Sequence, residues 1–454
     1  MPGLFGIFEL GRNSLLAQQA ALQTAGHNIA NAATPGYHRQ RVETGPTLPE
    51  LTAFGALGTG VRIDTIRRVE NRFLELSAQR EIPLSARYSA RAAVLSEAEL
   101  TFGDPAEGGM QTFLEQFFTA WDDLASSPED SGARDTVART ATSLVQTMRS
   151  TRQSLVEKRD ALSGEMRSVV DGANRAIHEL ERLNHGIMAS EARGATSLGD
   201  LADRRDAVIE TLNDLVGAEA SIETNGTATL RLGGRVLVQA GISAEIAWDE
   251  GTPNVPMLGG RSLGLDELEG RLGGLLQARD EDLAAAIQGL DEFAARLFRD
   301  VNAIYQQGTN SSGGSGNAFF VSSASRDEVT NAAGTIALNP ILAQDPARIS
   351  TGRTSAAGDN AIALDIAALR STRGGPASLL NAVVVDLGGR AREANDLARG
   401  QEIVLDAIRA ERESASGVSL DEEGANLLRF QRSYQASAQL ISIADEMTAT
   451  LLAI

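Results

Sequence analysis

Leu4 to Ala33, LFGIFELGRNSLLAQQAALQTAGHNIANAA, is the stretch from which the rest of the chain is read. Phe8, Leu15, Leu22 and Ile29 follow one another at seven-residue intervals, and Gly11, Gln18, Ala25 and Ala32 fill the alternate slots of the same face. That period predicts one long helix with a heptad seam. Its polar side is Asn, Gln, Ser and Thr, and before Arg39 the only charged side chains are Glu9 and Arg12. A free surface helix carries more charge, so this one is expected to be covered on more than one side. It stops at Asn31-Ala32-Ala33-Thr34-Pro35-Gly36-Tyr37. Pro35 cannot continue an α-helix, it pushes Thr34 towards extended geometry, and Gly36 permits a turn.

The far end of the chain mirrors this one. Ser419-Leu420-Asp421-Glu422 reads as a capping box, in which Ser419 accepts from the Glu422 N–H while Glu422 reaches back. Asp421, Glu422 and Glu423 put negative charge at the positive end of the helix dipole. Leu427, Phe430, Tyr434, Ala438, Ile441, Ala444, Met447 and Leu451 then recur at spacings of three and four. A terminal helix with such a stripe needs a partner, and the N-terminal helix is the nearest candidate. On pattern alone, a helix pair closing a globular fold is favoured over an assembly surface.

The residues themselves shift that balance. Asn28-Ile29-Ala30-Asn31-Ala32-Ala33-Thr34-Pro35-Gly36-Tyr37 resembles the N-terminal signature of bacterial flagellar axial proteins, the rod, hook and first hook-associated proteins. Ser416 to Glu423, followed by Leu428-Arg429-Phe430-Gln431-Arg432-Ser433-Tyr434-Gln435-Ala436, resembles the C-terminal signature of the hook-associated protein 1 family. Inside the chain, Phe117 to Ala125 with Pro128, Leu201 to Asp206 with Leu212 and Leu215, and Asn302 to Gly308 with Gly316 and Phe319-Phe320 resemble segments of that family's helical rod. The resemblance implies terminal helices paired as the inner tube of a filamentous assembly. The assembly-interface residues it implies are Phe8, Leu15, Leu22, Asn28, Ile29, Asn31, Pro35, Gly36, Tyr37, Leu427, Phe430, Tyr434, Ile441, Met447 and Leu451. The partners it implies are further copies of the chain in a ring or helical layer, hook protein, the next hook-associated junction protein, and an export chaperone on the C-terminal helix.

Length and composition bound these readings. A chain of 454 residues allows roughly three domains. Aromatics are only 4%, so cores must be built from Leu, Ile, Val and Ala, which suits helical packing. A net charge of −19 argues against nucleic acid and anionic membrane as partners. There is no cysteine, hence no disulfide or thiol chemistry. No apolar run approaches the length of a membrane span. The N-terminus lacks the basic region, apolar core and Ala-x-Ala site of a cleaved signal peptide, which on its own predicts a cytoplasmic protein. The resemblance implies instead an extracellular protein at the hook–filament junction, exported through the flagellar type III apparatus without cleavage, and that reading is preferred.

Taken in order, residues 39–70 are turn-rich, with a short strand at Val61 to Thr65. Helices are expected over Glu70 to Leu100, disturbed at Pro83, and from Asp104-Pro105 onward, where Met110, Phe113, Leu114, Phe117, Phe118, Trp121 and Leu124 share a core face. Ser131 to about Ser190 is the longest helix, with Met148, Leu155, Leu162, Val169, Ala176 and Leu183 seven apart. Another follows from Gly199 to Val216. Ser221 to Thr224, Thr227 to Leu232 and Arg235 to Gln239 read as strands joined by Asn-Gly and Gly-Gly two-residue turns. Helix returns at Gly270, with Leu276, Leu283, Leu290, Leu297 and Ile304 seven apart, and again over Ala377 to Glu413.

The fold class expected is mainly α with a β-rich insertion: terminal helical arms (1–38, 418–454), a coiled-coil-like helical rod bundle (39–217, 270–308, 376–413) and a small outer β domain (218–269, 309–375).

Little in the sequence points to catalysis. His178 and His185 are two turns apart on the long helix, with no Cys or i,i+4 His/carboxylate set to complete a metal site, so solvated surface histidines are the stronger reading. His27 and His38 flank the signature turn as packing or capping groups. No phosphate loop, nucleophile elbow or carboxylate pair stands out, and no cofactor is expected. The preferred function is a structural, non-enzymatic junction protein joining hook to filament by self-assembly. The alternatives are a hook or rod protein, against which the Ser416-to-Glu423 motif argues, and more distantly an extracellular enzyme domain in residues 218–375 carried on an axial scaffold.

Overall fold

A computed structural model of the chain describes residues 4–52, 55–103, 109–193, 198–249, 251, 254–309, 316–323 and 329–452. It begins with helix α1 (Leu4–Ala30), strands β1 (Gln40–Pro46), β2 (Glu50–Thr52), β3 (Gly55–Leu57) and β4 (Val61–Arg68), and helices α2 (Arg72–Thr101), α3 (Met110–Ser126), α4 (Ser131–Ala192) and α5 (Gly199–Val216). Strands β5 (Glu219–Ile222), β6 (Ala228–Leu232), β7 (Arg235–Gln239), β8 (Ile242–Ser243), β9 (Ile246–Asp249), β10 (Val255–Leu258) and β11 (Arg261–Ser262) follow. Then come α6 (Gly270–Gln277), a π-helical turn (Ala278–Asp282), α7 (Leu283–Tyr305), β12 (Phe320–Ser322), α8 (Ala332–Thr335), β13 (Ile336–Leu338), α9 (Pro340–Gln344), α10 (Ala361–Ala368), α11 (Pro376–Ser416) and α12 (Leu420–Leu452). The fold is mainly α with long helices and a small β-rich insertion. The expected helix start at Asp104-Pro105 and most of the Gly/Ser stretch after Thr309 lie outside the described residues.

Two compact units form: Met1–Ser85, Val170–Gly270 and Gln401–Ile454 in the first, Ala86–Val169 and Arg271–Gly400 in the second. In the first, α1 packs along α12, and β1 and β4 form an antiparallel ladder from Gln40↔Arg68 to Pro46↔Val61 that lies beside α1. The insertion carries a four-stranded sheet, β5-β6-β7-β8, and a three-stranded one, β11-β10-β9. Gly233 and Gly234, both at positive φ, make the two-residue turn between β6 and β7 as expected. The preceding turn is longer: Glu223 pairs with Thr227, and the Asn225 side chain accepts from the Thr227 N–H and hydroxyl. Strands β8 to β11 extend the sheet region to Ser262, and Ala240, at φ 48, takes a turn position that glycine would usually fill.

The second unit is organised by α3, α7 and the segment around β12. Phe117, Phe118, Trp121, Tyr305, Phe319 and Phe320 are buried together, with ring centroids from 4.8 Å (Phe319–Phe320) to 6.4 Å (Phe117–Trp121). Edge-on and tilted contacts of this kind add to area burial. Asn302 fixes the chain there: its Oδ1 accepts from the Phe319 and Phe320 N–H groups at 2.9 Å, and its Nδ2 donates to Phe320 O at 2.8 Å. The heptad residues of α4 are core, with Met148, Leu155, Leu162, Val169 and Leu183 buried and Ala176 half-buried.

Residues 309–375 depart from the β-rich expectation. Among the described residues they hold a two-stranded ladder, β12 with β13, a β-bridge between Thr309 and Gly352, and short helices. The reason is legible locally: Asn339-Pro340 is a helix start, with the Asn339 side chain accepting from the Ile341 N–H and Pro340 in the first helical turn. Ala361–Ala368 is rich in Ala, Ile and Leu without strand alternation.

Candidate assembly surface

The contact between α1 and α12 is made by small residues. Gly11, Ala17, Ala21, Thr24, Ala25 and Asn28 are buried on α1, and Glu423, Ser437 and Ala444 on α12. Ser14 Oγ and Ser437 Oγ are 2.7 Å apart. A Cβ at Gly11 would stand 2.6 Å from Ile441 Cγ1, so glycine sets how closely the two axes approach. Of the face read from the sequence, Gly11 and Ala25 are buried, Phe8, Leu15 and Leu22 are half-buried and Ile29 is exposed. A straight helix drifts by about 20° per heptad against such a row, and leucines are too bulky for the close approach fixed at Gly11. The signal for the true face was the small set Gly11, Ser14, Ala17, Ala21, Ala25 and Asn28 at spacings of three and four.

On α12, Leu427, Phe430 and Ile441 are half-buried towards α1, whereas Tyr434 is exposed. Met447 is 48% exposed and Ile443 45%, and Leu428 and Leu440 are also in solvent. The Leu451 side chain lies outside the described residues. The helix pair therefore satisfies one face of each helix and leaves a second, apolar row uncovered.

The signature turn forms a polar joint beneath the pair. Asn28 Oδ1 accepts from the Gln40 N–H (2.9 Å) and the Tyr37 hydroxyl (2.8 Å), while its Nδ2 donates to Gln40 O (2.9 Å) and Glu423 Oε2 (3.2 Å). His27 Nδ1 meets the Tyr37 hydroxyl at 2.9 Å, and Asn31 Nδ2 donates to His27 O at 3.0 Å. Pro35 and Gly36 are exposed, Gly36 with φ +75, so they shape the turn and touch little. Burial, reinforced by Asp200, Asp203 and Glu423, pushes the Tyr37 phenol well above its usual range, which keeps it a donor to Asn28.

Arg39 clamps the start of α12, with Nη1 2.7 Å from Glu422 Oε2 and Nη2 2.6 Å from the buried Glu423 Oε1. The capping box is thus only half made. Ser419 Oγ accepts from the Glu422 N–H at 3.4 Å, but the Glu422 carboxylate turns to Arg39, whose charge outbids a backbone N–H.

His38, read from the sequence as packing or capping, is the hub of an ion-pair cluster. Its Nδ1 lies 2.8 Å from Asp203 Oδ1 and its Nε2 3.5 Å from Glu75 Oε1. Arg68 Nη1 bridges Asp203 (2.7 Å) and Asp206 (2.8 Å), and Arg412 bridges Glu75 (2.9 Å) and Glu210 (2.7 Å). Burial disfavours charge on His38, but hydrogen bonds to Asp203 and Glu75 outweigh it and raise its pKa to about 9. The same contacts, with Arg68 and Arg412, outweigh burial at Asp203 and Glu75 and hold both carboxyls below their usual range.

A raised histidine contributes stability that is complete below its unfolded pKa of about 6.5 and is lost as pH climbs through the folded value. The stability lost in His38→Gln is therefore expected to be largest near pH 6, about 3 kcal/mol by linkage, and to shrink towards pH 9.5. Denaturant melts of both proteins across that range test it; a constant difference refutes it.

The other histidines carry no site. His178 and His185 are exposed; His178 pairs with Glu245 at 2.8 Å and the His185 ring packs over Gly241. Among the described residues no cluster of His, Cys, Asp or Glu could hold a metal ion, and no helix is long and apolar enough to cross a membrane.

Comparison with known proteins bears on the same residues. The family model "Flagellar hook-associated protein FlgK helical domain" matches residues 95–320, and "Flagellar basal body rod FlgEFG protein C-terminal" matches residues 410–454. Flagellar hook-associated protein 1 of Bacillus subtilis (strain 168) is 28% identical, over 98% of this chain and 97% of its own length. That of Escherichia coli (strain K12) is 25% identical over 97% and 98%. A solved structure titled "The structure of the flagellar hook junction protein FlgK from Burkholderia pseudomallei" overlaps 56% of this chain and 47% of that one, with 23% identity and a TM-score of 0.49. The helical-domain match falls on the aromatic core, the rod-type match on the α12 arm, and the relatives run nearly end to end with the chain, which is thus similar over almost its whole length to flagellar hook-associated protein 1.

Proposed function

We propose that this chain is a structural component of the bacterial flagellum that connects hook to filament at their junction, and that its terminal helix pair is the surface through which copies assemble. The supporting observation is the second apolar row on α12, with Ile443 and Met447 left in solvent after α1 has been satisfied. A helix pair with an uncovered apolar row gains stability by packing against further copies. In this reading residues 1–38 and 418–454 form the inner core of the assembly, and residues 39–217, 270–308 and 376–413 the helical body around it. Hook protein and the next hook-associated protein are the neighbours above and below, an export chaperone holds the α12 row before assembly, and export proceeds without a cleaved leader. The protein has no catalytic role in this scheme.

A junction layer offers different patches to two neighbours, so its loss stops growth beyond it. A strain lacking this chain is expected to build complete hooks, carry no filaments and release unpolymerised flagellin. Electron microscopy of the cells and an immunoblot of the culture fluid read this out. Normal filaments would overturn the junction role, and absent hooks would point to the rod or hook alternative.

A further inference from the structure

The hairpin β2–β3 prolongs the β1–β4 ladder, and two leucines of this region stand in water: Leu48, just before β2, is 91% exposed and Leu51 86%. It is nevertheless held in shape. The Thr47 N–H donates to Gly60 O (3.0 Å), the Thr47 and Thr59 hydroxyls are 2.7 Å apart, and Thr59 Oγ1 donates to Leu48 O at 2.6 Å. A preordered knob with two leucines in solvent loses little conformational freedom on docking. Between Thr47 and Gly60 its only charged residue is Glu50.

A groove of about 710 Å³ lies along the same ladder, lined by Arg41, Val42, Thr44 and Val61 as well as by α1 and α12. Ala17, Ala21 and Ala25 of α1, Phe430 of α12, Arg41 and Arg429 line it, together with Glu422 and Glu423, whose carboxylates are taken by Arg39. Arg429 lies over the Phe430 ring at 5.0 Å, and neither arginine pairs with a carboxylate among the described residues. Knob and groove thus match in chemistry: leucines for a small-residue floor, and one carboxylate for two open guanidinium groups.

Within one copy the knob lies beyond the far end of the groove from Asn28. Gln40, at the start of β1, is bonded to Asn28, whereas a Cβ at Gly60 would stand 3.5 Å from Leu10 Cα, so the ladder runs back along α1 and the knob projects past Leu10. The groove floor is centred near Ala21, roughly 16 Å further along the helix at 1.5 Å per residue, and away from the knob. We propose that the β2–β3 knob of one copy docks in the α1/α12 groove of a second copy, with Glu50 between Arg41 and Arg429. The two patches differ, so the contact is heterologous and propagates from copy to copy.

This rests on the self-assembly reading above, and the test separates the two. The full chain carrying p-benzoylphenylalanine at Leu51, and separately at Leu48, is expressed in the deletion strain, and isolated flagella are irradiated. The expected result is a ladder of adducts between copies of this chain, mapped by mass spectrometry to residues 17–28 or 422–430. Adducts to another protein, adducts to other parts of this chain, or filament-bearing flagella with no adduct at either position would overturn the knob-and-groove contact while leaving self-assembly standing. If both variants fail to restore filaments, Glu50→Arg paired with Arg41→Glu and Arg429→Glu decides: recovery of filaments lost in Glu50→Arg alone supports the contact, and no recovery refutes it.

Discussion

Asp282→Ala is expected to cost the second unit about 3–5 kcal/mol, the range for removing one partner of a buried ion pair. The Asp282 side chain has no exposure and takes both Arg91 Nε (2.8 Å) and Arg91 Nη2 (3.0 Å), with Arg390 Nη1 at 3.2 Å. Removing it strands the Arg91 guanidinium, itself 9% exposed, with no counter-charge in contact. Arg390 is less affected, since it keeps Asp386 at 2.8 Å and reaches water. Asp282→Leu with Arg91→Met should recover most of the loss, because an apolar pair of similar volume needs no solvation. Urea melts of the three proteins test this; a shift under about 1 kcal/mol for the single variant, or no recovery in the double, would refute it.

That carboxylate also marks where the sequence stops being readable. The run Leu276, Leu283, Leu290, Leu297 and Ile304 predicts an uninterrupted helix, and its four leucines are buried while Ile304 is half-buried. What the period does not reveal is the π-helical turn over Ala278–Asp282, which inserts an extra residue and brings Arg279 and Asp282 inward among the leucines. A turn of that kind is stabilised by tertiary ion pairs, and partners such as Arg91 and Arg390 are far away in sequence. The same holds at His38: flanking Pro35-Gly36 it looks like a local turn residue, and its role comes from Glu75, Asp203, Arg68 and Arg412 on four other elements.

Long-period features fared better. The α4 heptads, the aromatic face of α3 and the pairing of the terminal helices follow from repeats long enough to average over local exceptions. The face of α1 was legible in part: its small members Gly11 and Ala25 are buried, while its large members Phe8, Leu15 and Leu22 are only half-buried. Close helix approach selects against bulk, so an apolar residue count points to the wrong side of such a helix.

The division between faces yields the second large effect. Met447→Asp places a carboxylate where the free protein is 48% exposed, so its folding stability should change by no more than about 0.5 kcal/mol. If the uncovered row of α12 packs against further copies, the same carboxylate is buried unpaired in every subunit contact, at several kcal/mol each. Filaments are then expected to be lost although the secreted protein melts normally. Leu162→Asp is the opposite case: Leu162 is 5% exposed in the core of α4, and losing its packing while burying a charge should cost more than about 4 kcal/mol and leave the chain unfolded or insoluble. Circular dichroism melts of the purified proteins and electron microscopy of the strains separate the two. If Met447→Asp cells carry normal filaments, the row is not an assembly contact. If Met447→Asp melts as poorly as Leu162→Asp, the row belongs to the folded core of the single chain, and the apolar side of α12 would have to be counted with the packing around α1.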